Sequence, residues 1–358
     1  MWKNMLSLED LPDEITLKIL NFLNIKDLFR CLAVNKKLRT IANDQSLWRT
    51  MQLKGKMPAE LLPQVLAKGC QYLSIYNIAD MTGGRAKFPK NFQLKYLAVE
   101  NSSSEKDRSD IHLPELATSC YGLEKLSVYV YPLDFARASK MLKCIIQNSQ
   151  TLKVLYIQDL DQRQLTMSFE SVKLIITLGV ELTELSITYT KLSEESIDFI
   201  CENLTPKIEK LDISWHDSLD DEQLKKLLTR CNKLIELDIS GTQVSNESIA
   251  TIVKLLSPTL KKLEASCENI NLSGLLKLAS MPNIQALGND LLSEEDKEKF
   301  EEIMPHLCNE RSMNEDIEDY AHANIAMPHH RFNPTENIWE VEAELRTYDV
   351  ETLLGTIQ

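Results

Sequence analysis

The stretch "LIELDISGTQVSNESIATIVKLL", residues 234–256, contains two hydrophobic periods in one unit of chain. Leu237 and Ile239 alternate with polar residues, which is the period of a short strand with one buried face. From Ser245 onward the apolar residues recur at helical spacing, and a Ser followed by an acidic residue is a helix-start signal. The stretch therefore predicts a strand, a turn and a helix that share one core.

The strand phrase recurs along much of the chain. Copies begin at residues 94, 123, 152, 182, 208, 234 and 260, with weaker candidates at 70 and 284. Their central leucines are Leu97, Leu126, Leu155, Leu185, Leu211, Leu237, Leu263 and Leu287. Helical segments such as residues 193–204 and 220–231 lie between the phrases. The spacing resembles that of leucine-rich repeats, so we expect an α/β solenoid with parallel strands inside an arc and helices outside.

The domain organisation follows from where the repeats start and stop. We predict a helical module over residues 1–55, the solenoid over 56–292, and a capping helix with an extended C-terminal tail over 293–358. In that tail, residues 339–346 alternate apolar and polar side chains as a strand does.

The apolar runs, the cysteine spacing and the net charge each argue against particular classes of protein or partner. No apolar run approaches the roughly 18 residues of a membrane span. The eight cysteines form no C-x-x-C pair, which argues against a zinc site or a disulfide framework and predicts a nuclear or cytoplasmic location. The net charge of −13 argues against nucleic acid or an anionic membrane as the main partner.

The N-terminal stretch "DLPDEITLKILNFL", residues 10–23, predicts a helix capped by Asp10. A second helix is expected to begin at Ile25, and a third region ends at Trp48. The first helix is apolar on two opposite sides. One stripe comprises Leu11, Ile15, Ile19 and Phe22, and the other comprises Leu17 and Leu20. A module of about 45 residues is marginal alone, so another protein is expected to cover one stripe. The alternative is that the stripe packs on the first repeat, and the sequence does not select between the stripes.

The stretch from Leu11 to Trp48 resembles the F-box motif. The matching positions are Leu11, Pro12, Glu14, Ile19, Leu23, Leu28, Val34, Lys37, Leu38 and Trp48. The resemblance implies a three-helix F-box that docks on the adaptor subunit of an SCF (Skp–cullin–F-box) ubiquitin ligase, and through it on a cullin. The predicted adaptor-binding residues are Leu11, Pro12, Ile15, Ile19, Phe22, Leu23, Leu28, Leu32, Val34 and Trp48.

Three further stretches, residues 46–56, 211–218 and 336–345, are similar to the cell-cycle branch of F-box/leucine-rich-repeat receptors. That resemblance implies a phosphorylated cell-cycle regulator as substrate and a small cyclin-kinase-subunit accessory protein as partner. The chain departs from the pattern at Leu8 and Cys267, which leaves the substrate open.

The residue between the two interior positions of each strand is expected on the concave side. In three consecutive repeats this residue is acidic, and neighbouring strands place the carboxylates about 5 Å apart. The predicted substrate- or partner-binding residues are Glu184, Asp212, Ser214, Trp215, His216, Asp238 and Glu264. Two interpretations stay open: a solvated acidic face, or contact with a basic surface of a partner. The column contains no arginine, which direct binding of a phosphopeptide usually needs.

Nothing in the sequence predicts a catalytic residue, a cofactor site or a metal site. The stretch "TGGRAK", residues 82–87, lacks the spacing of a phosphate-binding loop. The sequence therefore predicts a non-catalytic substrate receptor that holds a protein substrate. The alternative is a ligase-independent leucine-rich-repeat scaffold bound to the adaptor.

Overall fold

The computed structural model describes residues 8–54, 57–58, 61–76, 81–82, 88, 92–100, 116, 120–130, 143–159, 166–305 and 307. The chain separates between Leu123 and Glu124 into two compact units, which are described in turn.

The first unit opens with three short helices, α1 Asp13–Leu20, α2 Ile25–Val34 and α3 Lys36–Ala42. The side chain of Asn24 caps α2 by accepting a hydrogen bond from the Asp27 amide at 2.9 Å. Asn35 is extended, with φ −152°, and its side chain caps α3 through the Leu38 amide. The second helix begins at Ile25 as predicted, and Asn35 separates it from α3, which gives the expected three helices.

The start of α1 differs from the prediction. Asp10 lies in a separate 3-10 turn, Leu8–Asp10, and α1 begins after Pro12 without a side-chain cap. The predicted capping role of Asp10 is wrong because two residues separate it from the helix. Lys37 of α3 instead fixes the N-terminal end of α1. It donates a hydrogen bond to the Leu11 carbonyl and forms an ion pair with Asp13 at 3.4 Å.

Three parallel strands follow in the same unit. They are β1 Thr50–Lys54, β3 Tyr72–Tyr76 and β5 Tyr96–Glu100, with α4 Leu61–Ala67 and a short pair formed by β2 Met57–Pro58 and β4 Met81–Thr82. Leu73 is in register with Met51 and with Leu97, and all three are buried. Strand β1 starts inside the stretch that the sequence predicts as helical module.

The second unit contains a parallel sheet in chain order. Its described strands are β6 Lys125–Val130, β7 Val154–Asp159, β8 Glu184–Thr188, β9 Lys210–Asp212, β10 Glu236–Asp238, β11 Lys262–Glu264 and β12 Ala286–Gly288. The central leucines from Leu126 to Leu287 stand in direct register and are buried. The predicted α/β repeat fold is confirmed.

Helices connect these strands. They are α5 Phe169–Leu178, α6 Glu194–Asn203, α7 Asp221–Arg230, α8 Asn246–Leu256, α9 Leu272–Leu275 and α10 Glu294–Ile303. Each begins after a Ser, Asp or Asn whose side chain accepts a backbone amide hydrogen bond. The helices predicted within residues 193–204, 220–231 and 245–256 are confirmed, and α10 is the helix predicted after Ser293.

The cysteines at fixed repeat positions are interior residues, as predicted. Cys120 and Cys231 are fully buried, and Ser149 takes the same position in another repeat. Burial raises the pKa of the Cys231 thiol to about 11, which keeps it protonated.

Three further expectations concern the C-terminal tail, membrane-spanning helices and metal sites. Residues 339–346, predicted as a strand, lie outside the described residues. In the described ranges no helix has both the length and the apolar content to cross a membrane. Within those ranges no three His, Cys, Asp or Glu side chains group in a way that could hold a metal ion.

Candidate interaction surfaces

Helix α1 buries one of its two apolar stripes and exposes the other. Leu20 is buried against its own unit, and Leu17 is half-buried. Ile15, Ile19 and Phe22 keep 43%, 38% and 66% of their surface exposed. The exposed stripe is thus the one formed by these three residues, which we call the α1 stripe.

The other predicted adaptor-binding residues of this helical module differ in how much of their surface is exposed. Val34, at the end of α2, is 64% exposed, and Pro12 is exposed. Leu11, Leu23 and Leu32 are half-buried. Exposed apolar side chains on so small a module are the usual mark of a protein interface.

The second surface is the face of the second unit's sheet opposite the buried leucines, which we call the open sheet face. Ser186, Asp212, Asp238, Glu264 and Gly288 follow one another in register across β8 to β12. Asp212, Asp238 and Glu264 are half-buried and form the predicted acidic column. Neighbouring parallel strands lie about 4.8 Å apart, so the three side chains are adjacent.

Ion pairs and hydrogen bonds organise the charges on this face. Lys210 pairs with Glu236 at 2.8 Å, and Lys262 pairs with Glu264 at 3.3 Å. Ser186 Oγ donates to Asp212 Oδ2 at 3.0 Å. Each of these two lysines thus has a glutamate partner on this face.

An aromatic pair lies directly after β8 and β9. The rings of Tyr189 and Trp215 stack nearly parallel, with centroids 5.3 Å apart, and both side chains are half-buried. Both have positive φ, 55° and 65°, which is rare for such bulky residues. The Trp215 amide donates to the Ser240 carbonyl at 2.7 Å and so fixes this turn to the next repeat. We call the two rings the aromatic shelf.

Comparison with known proteins identifies the domains. Residues 8–54 match the family model described as F-box-like. The chain joins an F-box-like domain to leucine-rich repeats. It is 25% identical over 273 residues to F-box/LRR-repeat protein 5 from Danio rerio, an alignment that covers 74% of this chain and 36% of that relative. The chain thus spans about a third of the length of this curated relative.

Two solved structures are also similar to this chain. The leucine-rich-repeat-containing protein LegL7 from Legionella pneumophila is 16% identical, with 72% of this chain and 88% of LegL7 covered and a TM-score of 0.41. A chain from the yeast Rad7 and Elc1 complex is 13% identical, with 81% and 86% covered and a TM-score of 0.45.

Two predicted contact residues of the F-box-like domain belong to its interior. Leu28 and Trp48 are fully buried. Trp48 Nε1 donates to the Ala42 carbonyl at 2.7 Å, and the ring meets Phe29 edge-on with centroids 4.9 Å apart. Their predicted role as direct contacts is therefore corrected: they hold α2 and α3 in place and cannot touch a partner from these positions.

Two predicted contact residues of the repeats also turn inward. His216 is buried, and its Nε2–H donates to the Ile187 carbonyl of the preceding repeat at 2.8 Å. Ser214 is buried, and its Oγ donates to Asp212 Oδ1 at 2.8 Å. The predicted role of His216 and Ser214 as partner contacts is therefore wrong. Both residues support the acidic column and the aromatic shelf instead. Glu184 accepts a hydrogen bond from the Tyr156 hydroxyl at 2.6 Å and stays on the open sheet face.

The pKa of Asp238 is shifted by its surroundings on this face. Burial, and then the adjacent Asp212 carboxylate, raise the pKa of Asp238 to about 8. A hydrogen bond from the Ser240 amide at 2.9 Å acts in the opposite direction without reversing the shift. Burial and the neighbouring Asp212 carboxylate therefore both disfavour the ionised form of Asp238.

Sequence reasoning missed two residues that shape these surfaces. Tyr189 completes the aromatic shelf, and Gly241 leaves room for the Trp215 ring, because a Cβ at Gly241 would lie 2.5 Å from Trp215 Cε3. The signal was present: Tyr189, Trp215 and Gly241 each follow a central leucine by four residues.

Proposed function

We propose that this chain is a non-catalytic substrate receptor of an SCF-type cullin ubiquitin ligase. The single observation that supports this most is the α1 stripe, exposed on a domain that matches the F-box-like family. Full burial of such a side chain from water is favourable by roughly 1.5–3 kcal/mol, and the α1 stripe would gain the share that corresponds to its exposed surface. In this proposal the adaptor subunit of the ligase covers the stripe and links the chain to a cullin.

The repeats supply the substrate-binding part in this proposal. Their open sheet face presents half-buried charged and aromatic side chains on a rigid parallel sheet, which suits recognition of a protein. The receptor holds the substrate close to a ubiquitin-charged enzyme recruited elsewhere in the complex. The gain is effective concentration and orientation, and no bond chemistry is assigned to this chain.

The proposal extends to an accessory protein for phosphorylated substrates. On the open sheet face, the residues of β8 to β11 include lysines but no arginine, and both lysines are paired with glutamates. A phosphorylated cell-cycle regulator would need cations from elsewhere, and we propose that a cyclin-kinase-subunit protein supplies them. The proposed setting is the nucleus or the cytoplasm.

The experiment is a reconstitution with purified adaptor and cullin. Wild-type chain should bind the adaptor, and Phe22→Asp combined with Ile19→Asp should abolish binding while the thermal melt stays unchanged. The matched control is Val180→Asp, at a residue of similar exposure in the repeats, which should bind normally. If wild-type chain does not bind the adaptor, the receptor role is rejected.

A second step separates a receptor from a ligase-independent scaffold. Co-purified proteins are added to the reconstituted ligase, and ubiquitin attached to them is measured with wild-type chain and with the Phe22/Ile19 variant. A receptor raises ubiquitination only when the α1 stripe is intact. Adaptor binding without any rise in ubiquitination would favour the scaffold.

A further inference from the structure

We draw no further inference here: the strongest candidate, the acidic column of Asp212, Asp238 and Glu264 on the open sheet face, is a cluster of carboxylates that already form hydrogen bonds or an ion pair within their own sheet, and no second feature among the described residues points to a ligand there.

Discussion

Asp238 on β10 lies in direct register with Asp212 on β9, so two carboxyl groups occupy adjacent positions of one sheet face. Like charges directly opposite each other destabilise a sheet. Burial and the adjacent Asp212 carboxylate raise the pKa of Asp238, which favours one proton on the pair over two adjacent negative charges. The acidic column is therefore a site of linked proton binding as well as of charge.

Replacement of Asp238 by Asn should stabilise the protein, and the gain should grow from pH 5 to pH 8. The native state holds a proton on Asp238 that the unfolded chain releases above its ordinary pKa of about 3.9, so wild-type stability falls as the pH rises through this window. Calorimetric melts across this pH range measure the effect, with each kcal/mol appearing as about 2–4 °C in Tm. Exposed Asp217→Asn is the control, and an equal pH dependence of the two variants would contradict the prediction.

Core and surface positions of the F-box-like domain should respond differently to truncation. Leu28→Ala should lower the free energy of unfolding by about 2–5 kcal/mol, because it leaves a cavity at a fully buried site. Ile15→Ala, on the exposed α1 stripe, should cost less than about 1 kcal/mol. Urea unfolding of both variants tests this, and similar losses would contradict the assignment of Leu28 to the core.

Gly241→Ala should destabilise the repeats and disturb the aromatic shelf. Gly241 has φ 66°, and a Cβ there would collide with the Trp215 ring, so left-handed strain of roughly 1–2 kcal/mol adds to a steric clash. Gly122→Ala is a matched control, because Gly122 has φ 80° but open space around a Cβ. Thermal melts with tryptophan fluorescence separate strain from clash, and equal effects of the two substitutions would argue against a close Gly241–Trp215 contact.

Asp221→Asn should weaken the link between α7 and α8, most visibly at neutral pH. The Asp221 carboxylate accepts hydrogen bonds from the backbone and side chains of Ser245 and Ser248. Burial acts to raise the pKa of Asp221, but these bonds outweigh it and lower the pKa. The stabilisation is therefore present above the ordinary pKa of about 3.9 and is lost as the pH falls through the lower native value.

The measurement is stability against pH from 2 to 7, where the Asn variant should be less stable than wild type at pH 7 and converge with it in acid. Glu222→Gln, on the exposed side of α7, should follow the wild-type curve. A constant difference at every pH would show that the carboxylate charge is not involved.

Local patterns were sufficient for the repeat fold. The alternation around Leu237, the helical spacing after Ser245 and the recurrence of both fixed the faces of each element, because periodicity alone decides which side chains point together. The F-box motif likewise located the N-terminal domain. Asp10 failed as a cap because residues 8–10 form their own turn, a local competition that the cap signal does not reveal.

The site residues were predicted less completely. The register of β9 to β11 confirms the column of Asp212, Asp238 and Glu264, since equal repeat lengths place equivalent positions side by side. His216 was expected as a rim contact and Ser214 as a partner-binding residue, yet both are buried on either side of Trp215, where the chain bends with positive φ. The glycine at the equivalent repeat position, Gly241, was the sequence signal for such a turn.

By itself the sequence determined the repeating strand and helix, the F-box-like domain and the position of the acidic column, because each depends on contacts within one element or on a fixed period. Only the tertiary structure decided that Ile15, Ile19 and Phe22 face outward while Leu28 and Trp48 are buried, and that Tyr189 stacks on Trp215. Both stripes of α1 are apolar, and the stacked rings are 26 residues apart in sequence. Which surface is covered and which side chains meet depends on how elements pack, and that is a property of the folded chain.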